Sequence, residues 1–506
     1  MEQINLGEIS KSTKLENFSK EELITKFTIL EEEYLLAIKE IYKLKQQNLT
    51  DEQLRLIMEE QLGEFRNSMF GASSERYKKP ENKKEPRPAE PRIKRPSERY
   101  PNIPVREVVI GIDPVPNCQV CNKVMSDSGM TEDSEQLTVI PKKFEILLQK
   151  RKKYRCQCQA CILTAPVPAR IIAGSTYSDE MILDVVLSKY CDLIPIERYV
   201  GMADRSGLKD LPPHSLIDFT HKFADFIECV YELIKKGVLK DRVLNADETP
   251  HKMLEGSDKK TWYLWGFSTP ELCFLECHDT RSGDVASDIL LNSECEILVT
   301  DVYSGYSKAV RISNVERKKF NKKLIKNGYC NAHARRYFWR SRLNYKEAFF
   351  YLDHYHEIYQ LNTDSKGKPP DEVLRLRSQM KSRFEAMKKR ALEELPRYPS
   401  KNHYRKALNY FLENYEGLTL FLDDPEVPID NNAQERLLRS HVVGRKTWYG
   451  THSERGARTA AILFSIVESC KLVGVNPREY LKILVQDLLA GKNPYTPKEF
   501  KDLIKI

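Results

Sequence analysis

Three acidic residues stand where metal-dependent phosphodiester chemistry would need them. Asp247 follows the strand-like run Arg242 to Ala246, Asp301 follows Glu296 to Thr300, and Glu435 lies in a helical stretch that starts near Asp430. A carboxylate at a strand end projects from the rim of a sheet, where a substrate can reach it. Two such strand ends side by side bring two carboxylates together, which is unfavourable unless a cation sits between them. Mg²⁺ is a hard, oxygen-seeking ion, usually bound by one or two carboxylates plus substrate phosphate. A third acid from a helix, Glu435, completes a two-metal site. There one ion activates the attacking oxygen and the other stabilises the leaving oxygen of an in-line displacement. Spacing alone does not single these residues out, because the chain has 73 acidic residues and many follow strands by chance. Two neighbours compete for the same roles. Glu248 adjoins Asp247, but successive strand residues point to opposite faces, so only one of the pair faces the metals. Asp430 suits an N-cap at the helix start, for Ala433 or its neighbour.

Five clustered cysteines offer a second kind of site. Cys118-x2-Cys121 is followed by Cys156, Cys158 and Cys161. In an intracellular chain clustered thiols read as metal ligands rather than disulfides, and two knuckles suit a tetrahedral Zn²⁺ thiolate site. Four ligands are needed. Cys158-x2-Cys161 has the knuckle spacing, so the expected set is Cys118, Cys121, Cys158 and Cys161, with Cys156 as the alternative ligand. Such a zinc is structural, because no position is left open for water; the other reading is reduced cysteines without metal. The flanks, Lys142, Lys143 and Lys150 to Arg155, are strongly basic.

The elements that position these groups follow from periodicity. Residues 1–76 are helical, with Phe27, Leu30, Tyr34, Ala37, Ile41 and Leu44 at a/d spacing, which fits either a coiled-coil seam or an amphipathic helix packed on its own domain. Residues 77–106 form a basic, Pro-rich linker that cannot pack a core. The cysteine cluster occupies 107–170. Residues 171–240 are helical; Ile196 to Phe226, with Pro212 and Pro213 in the turn, reads as a helical connector or a long-turned helix-turn-helix. Gly207 looks like a C-cap. From 241 the period becomes strand-like: Thr261 to Ser268 and Glu271 to Cys277 are strands, Asp284 to Leu291 a helix, and Glu296 to Thr300 a strand, which predicts an α/β core with mixed pairing over 241–344. A helical insertion over 345–424 separates it from 425–470, where a last helix starts near Asp430, passes Glu435 and is followed by the basic stretch Gly444 to Lys446. Residues 471–506 are expected to form a C-terminal helical element.

At these residues the chain resembles the insertion sequence 66 family of bacterial DDE transposases. Phe65 to Gly71 with Ser73 to Arg76 is similar to the end of the family's N-terminal helices, and Cys118 to Cys161, with Lys153-Tyr154-Arg155-Cys156, to its zinc-binding domain. Asp247-Glu248-Thr249-Pro250, Asp301-Val302-Tyr303-Ser304-Gly305-Tyr306 and Asp430-Asn431-Asn432-Ala433-Gln434-Glu435-Arg436 resemble its three catalytic blocks. Cys330-Asn331-Ala332-His333-Ala334-Arg335-Arg336, Gly444-Arg445-Lys446, Ser453 to Ala457, Asn476-Pro477 and Tyr480-Leu481 follow in family order. One departure is visible: the family has two cysteines three apart after Lys-Tyr-Arg, whereas here Cys156 is followed by Cys158 and Cys161. The resemblance implies an RNase H-like core interrupted by a helical insertion, with Asp247, Asp301 and Glu435 holding two Mg²⁺ (or Mn²⁺) ions. It implies cleavage at element ends and joining of the 3′-hydroxyl to target DNA, without a covalent protein–DNA intermediate.

Arg335, Arg336, Arg445 and Lys446 are the expected contacts to the DNA backbone, since positive charge is needed near a metal–phosphodiester site; otherwise they form a solvated basic face. His333 reads either as a packed residue or as a phosphate contact. Trp262 and Trp448 read as core packing before base stacking. The net charge of +8 is modest for the length. No run approaches the roughly eighteen apolar residues of a membrane span, and Met1 to Ser10 is no secretory signal, so the expected setting is the bacterial cytoplasm, at the nucleoid. Expected partners are double-stranded DNA (terminal inverted repeats and target), a second copy of the chain in a dimer or larger synapse, and small accessory proteins of the element. Two other readings share features with this one: an RNase H-like nuclease or resolvase without strand transfer, and a non-catalytic, zinc-containing DNA-binding regulator.

Overall fold

The computed structural model describes residues 95–504 apart from 111–112, 114, 128, 130–131, 140–141, 156–160, 256–257 and 400–401. The expected N-terminal helices and coiled-coil seam, the linker before residue 95, and Cys156 and Cys158 lie outside the described residues. The end of the linker holds a single helical turn, Pro96–Arg99, and both Ser97 N–H and Ser97 Oγ donate to the Glu135 carboxylate at 2.9 Å. A two-stranded hairpin follows: β1 (Lys153–Arg155) pairs antiparallel with β2 (Ile162–Thr164).

Among the described residues, the helices α1 (Asp179–Tyr190), α2 (Ile196–Arg205), α3 (Pro213–Phe226) and α4 (Glu228–Leu239) lie between the hairpin and the main sheet. Gly207, at φ +90°, closes α2, a left-handed conformation that a side chain would strain. Tyr199 of α2 and Leu216 and Phe223 of α3 are buried in the same core as the sheet.

The sheet has five strands: β3 (Val243–Lys252), β4 (Thr261–Ser268), β5 (Cys273–His278), β6 (Ile297–Thr300) and β7 (Lys326–Tyr329), in spatial order β5-β4-β3-β6-β7. β3, β4 and β5 form an antiparallel meander, and β6 and β7 run parallel to β3. Parallel neighbours need crossovers. They are supplied by α5 (Gly283–Leu291) before β6 and α6 (Ser304–Lys319) before β7. The mixed pairing and the boundaries of β4, β6 and α5 match the sequence reading within two residues. β3 does not stop at Ala246. It continues to Lys252 because β4 pairs with it over that whole length, so Asp247 lies within the strand. β7 has no counterpart in the reading: Lys-Asn-Gly-Tyr lacks apolar alternation and becomes a strand through its pairing with β6.

After β7 come α7 (Asn331–Ser341), α8 (Ala348–Asp364), α9 (Pro370–Glu394), α10 (His403–Glu413) and α11 (Tyr415–Thr419). They surround a second core that includes Phe338, Tyr351, Tyr355, Phe384 and Phe411 and touches the sheet through Val243, Ile297 and Val299. Phe338 and Tyr351 stack with ring centroids 4.2 Å apart.

The chain then returns to the sheet in α12 (Asn432–Trp448), α13 (Glu454–Val473), α14 (Pro477–Leu489) and α15 (Pro497–Leu503). The helix near Asp430 is therefore not the last one, and it runs through the basic stretch Gly444 to Lys446 as far as Trp448. α13 covers the edge strand β5: Cys273 N–H and Leu275 N–H donate to Ser469 Oγ and Ser465 Oγ, each at 2.9 Å. Two edge donors that would otherwise be open to another strand are thereby satisfied. No single described helix is long and apolar enough to cross a membrane.

Candidate active site

Register brings the first two acids together. The last β3 residue paired with β6 is Asn245, opposite Val299. Asp247, within β3, and Asp301, immediately after β6, each lie two residues beyond that pair, where neighbouring strands run about 4.8 Å apart. On the far side of β6, Thr300 pairs with Tyr329, and Cys330 N–H donates to Thr300 O at 2.9 Å, so Cys330 follows β7 at the level of Asp301.

The third acid arrives on α12. Asn431, just before that helix, is fully buried. Its Nδ2 donates to Ala246 O (2.7 Å), its Oδ1 accepts from Asn245 Nδ2 (2.8 Å), and its N–H meets Cys330 Sγ (3.2 Å). Glu435 lies one turn further on, in the first turn of the helix. Further along the same pair of elements, His251 Nδ1 meets His441 Nε2 at 2.9 Å. Asn245 and His251 thus both face α12. Asp247 shares their parity on β3 and so faces α12 as well.

Glu248 has the opposite parity and is fully engaged. It accepts from the Tyr306 hydroxyl at 2.5 Å and from Arg281 Nε at 2.7 Å. Asp430 also has structural partners, accepting Asn432 N–H at 3.1 Å and the Tyr359 hydroxyl at 3.0 Å, but it is not the expected N-cap: Asn431 occupies that position and Asp430 precedes it.

The electrostatics mark this rim as short of positive charge. The Asp247 carboxyl is pushed up to about 8, first by burial and then by the negative charges of Glu248, Asp301 and Glu435. Burial pushes the Cys330 thiol up to about 12. His333, on α7, has its Nδ1 3.8 Å from Glu435 Oε1. Both atoms are buried and neither has a hydrogen-bond partner. Donor atoms of Cys330, His333 and Glu435 all lie within 4.8 Å of one another. The amide of Gln434 is likewise buried without a partner. It packs on Gly266, the β4 residue paired with Asp247, where any Cβ would overlap Gln434 Nε2. Asn245, Asn431, Gln434 and Cys330 were not singled out from sequence. The one available signal was a polar Asn245 inside an apolar strand.

Residues 174–459 match the sequence profile described as the transposase IS66 family. That stretch is more than half of the 506 residues and contains all three acids. The chain belongs to the IS66 family of transposases. It is similar to three uncharacterized proteins of Sinorhizobium fredii (strain NBRC 101917 / NGR234). It is 26% identical to y4qI over 375 residues (71% of this chain, 68% of the relative). It is 24% identical to y4hP over 413 residues (76% and 72%) and 25% identical to y4jD over 389 residues (74% and 75%).

Transposases of this type generally use divalent metals, and the rim of this transposase has the donor set for them. It combines an Asp247 carboxyl raised by burial and then by like charges with an orphaned buried oxygen on Glu435, and both are features that a cation corrects. Among the expected DNA contacts, Arg335 is half-buried with its guanidinium 5.6 Å from the Trp339 ring centroid, Arg336 and Arg445 are half-buried, and Lys446 is exposed. Trp448 packs edge-on against Tyr190, with centroids 6.5 Å apart, as core packing requires. Trp262 is half-buried.

At the cysteine cluster, Cys118 and Cys121 form a tight turn. Cys118 N–H donates to Lys123 O (2.8 Å), Asn122 N–H donates to Cys118 O (2.9 Å), and Asn122 takes a left-handed φ of 59°. Backbone N–H groups of Cys121 and Val120, then the Cys121 side chain, hold the Cys118 thiol below its usual value. Donors aimed at a sulfur in this way suit a thiolate ligand. Cys161, at the start of the β2 segment, is exposed.

Proposed function

We propose that this transposase binds the terminal inverted repeats of an insertion sequence, hydrolyses phosphodiester bonds at the element ends and joins the 3′-hydroxyl ends to target DNA. In this reading Asp247, Asp301 and Glu435 are the catalytic acids of an RNase H-like core. Residues 345–424 are its helical insertion, and 425–470 complete it. The observation that carries the reading is the convergence of three elements on one rim: Asp247 in β3 and Asp301 just after β6, each two residues beyond the Asn245–Val299 pair, and Glu435 one turn beyond the Asn431 clamp. The strand order, an antiparallel meander followed by two parallel strands, supports the core assignment.

Two divalent ions held there would activate the attacking oxygen and stabilise the leaving one. The chain's own contribution is positioning. Asn431 and Asn245 fix the helix start against β3, so Glu435 cannot drift from Asp247. Glu248 ties β3 to Arg281 and Tyr306 and leaves Asp247 alone on the metal-facing side. Arg335, Arg336, Arg445 and Lys446 would hold the DNA backbone. Cys118, Cys121 and Cys161, with Cys158 or Cys156, would hold one structural Zn²⁺ in a module at 107–170. Residues 171–240 would add a DNA-binding surface, and 1–76 would pair two copies to synapse two ends.

The test is incubation of the full-length protein with labelled end DNA and a target plasmid, in Mg²⁺ or EDTA, beside Glu435→Ala. Mg²⁺-dependent nicking at the element boundary plus joined products, both lost in the variant, is the expected result. Cleavage without joining would make it a nuclease. Binding without cleavage, even with the element's accessory proteins added, would make it a regulator.

A further inference from the structure

We infer that His333 is a fourth ligand of this metal centre, binding through Nδ1 the same ion that Glu435 holds. The inference rests on the reading of Glu435 as a metal ligand. It starts from two orphaned atoms. His333 Nδ1 and Glu435 Oε1 are both buried, and neither has a hydrogen-bond partner. A buried polar atom left unpaired is destabilising. The two face each other at 3.8 Å, too far for a hydrogen bond. With bonds near 2.1 Å, adjacent donors of an octahedral ion lie roughly 3 Å apart and opposite ones roughly 4.2 Å apart, so 3.8 Å lies between the two and a side-chain shift of under about 1 Å brings both atoms onto one ion.

The elements that carry the pair are anchored independently of any ion. His333 sits in the first turn of α7, whose start is fixed by Cys330 N–H donating to Thr300 O and by Asn331 Nδ2 donating to Leu418 O (2.8 Å) and Ile429 O (3.0 Å). Glu435 is fixed through Asn431. The separation is thus set by the fold, as a preorganised site requires. Cys330 Sγ shares the cluster but already accepts Asn431 N–H, and a thiol is a softer donor than a hard ion seeks.

An imidazole among carboxylates has a chemical consequence. Imidazole is a donor of first-row transition ions, whereas Mg²⁺ keeps to oxygen. Mn²⁺, the first-row ion that also favours carboxylates, is therefore the ion that reports a nitrogen ligand at the Glu435 position.

The experiment is pulsed electron paramagnetic resonance of Mn²⁺ added to the full-length protein with end duplex, comparing wild type with His333→Ala, His333→Asp, Glu435→Gln and Asp247→Asn. The expected result is ¹⁴N modulation of the Mn²⁺ signal in wild type and its loss in His333→Ala and Glu435→Gln. Mn²⁺ affinity falls roughly tenfold or more in His333→Ala, and His333→Asp restores affinity without restoring nitrogen modulation. Circular dichroism and melting of each variant establish that it is folded. Mn²⁺ bound with no nitrogen modulation, or with modulation that survives His333→Ala, overturns the inference and leaves the carboxylate triad standing. Failure of the wild type to bind Mn²⁺ at all, with duplex present, overturns both.

Discussion

At the scale of single residues, the proposed activity rests first on Asp247, whose carboxyl is raised by burial and then by the charges of Glu248, Asp301 and Glu435, a state that a cation would relieve. Asp247→Ala, Asp301→Ala and Glu435→Ala are each expected to lower strand cleavage on the order of 10³-fold or more while end-DNA binding persists, measured by nicking and gel-shift assays. A variant that still cut efficiently would remove its residue from the triad. The His251–His441 pair, below the rim, predicts a pH dependence of stability. Burial, then the positive charge of Arg445, holds the His251 imidazole down at about 4, and burial holds His441 well below 6.5. Below pH 6.5 the unfolded chain takes up protons that the folded chain refuses. The stability is therefore complete above about pH 6.5 and is lost as pH falls toward 4, on the order of 3 kcal/mol for His251. Melting temperature should fall across that window, and His251→Gln should flatten the fall; equal slopes in both proteins would refute the assignment.

At the scale of elements, the loop that carries Asp301 is held by a close helix crossing. Gly283 opens α5 and Gly305 lies in the first turn of α6, and a Cβ on Gly283 would overlap the Gly305 carbonyl. Gly283→Ala should destabilise the fold by about 1–3 kcal/mol, because backbone must move to admit the methyl, and it should also slow cleavage by displacing the turn after Asp301. Chemical denaturation and the nicking assay read the two effects; an unchanged midpoint would show that the crossing has slack. The elements themselves were unevenly legible. β4, β6 and α5 announced themselves through local periodicity. β7 did not, because its four residues carry no alternation and it exists only by pairing with β6. β3 read short, because Pro250 and polar neighbours after Asp247 look unlike a strand until β4 pairs with them.

At the scale of the whole molecule, two cores meet at the site. The sheet and its covering helices form one, and the insertion helices form the other. Arg242 joins them, donating to Asp424 at 2.7 and 2.9 Å and to Glu426 at 3.0 Å. The zinc module proposed for 107–170 shares little with either core, since Val120, Val139, Leu147 and Ile162 are exposed. Elemental analysis should find about one zinc per chain, with Cys118→Ser or Cys121→Ser losing it while the melting of the catalytic core is unchanged. Zinc-free wild type would leave the cysteines as reduced thiols.

The chemical inventory and its order are written along the chain: the acids at 247, 301 and 435, the knuckle at Cys118 and Cys121, the mixed strand pattern, and the motifs that place the chain in its family. These are legible because periodicity, turn residues and short motifs are properties of neighbours along the chain. Tertiary structure alone decided which inventory residues meet. Only pairing between β3 and β6 makes Asp247 level with Asp301. Only the contact between Asn245 and Asn431, across 186 positions, sets Glu435 against them. His333 acquires its place beside Glu435 in the same way, since the burial of its Nδ1 without a hydrogen-bond partner arises only when distant segments close on one another.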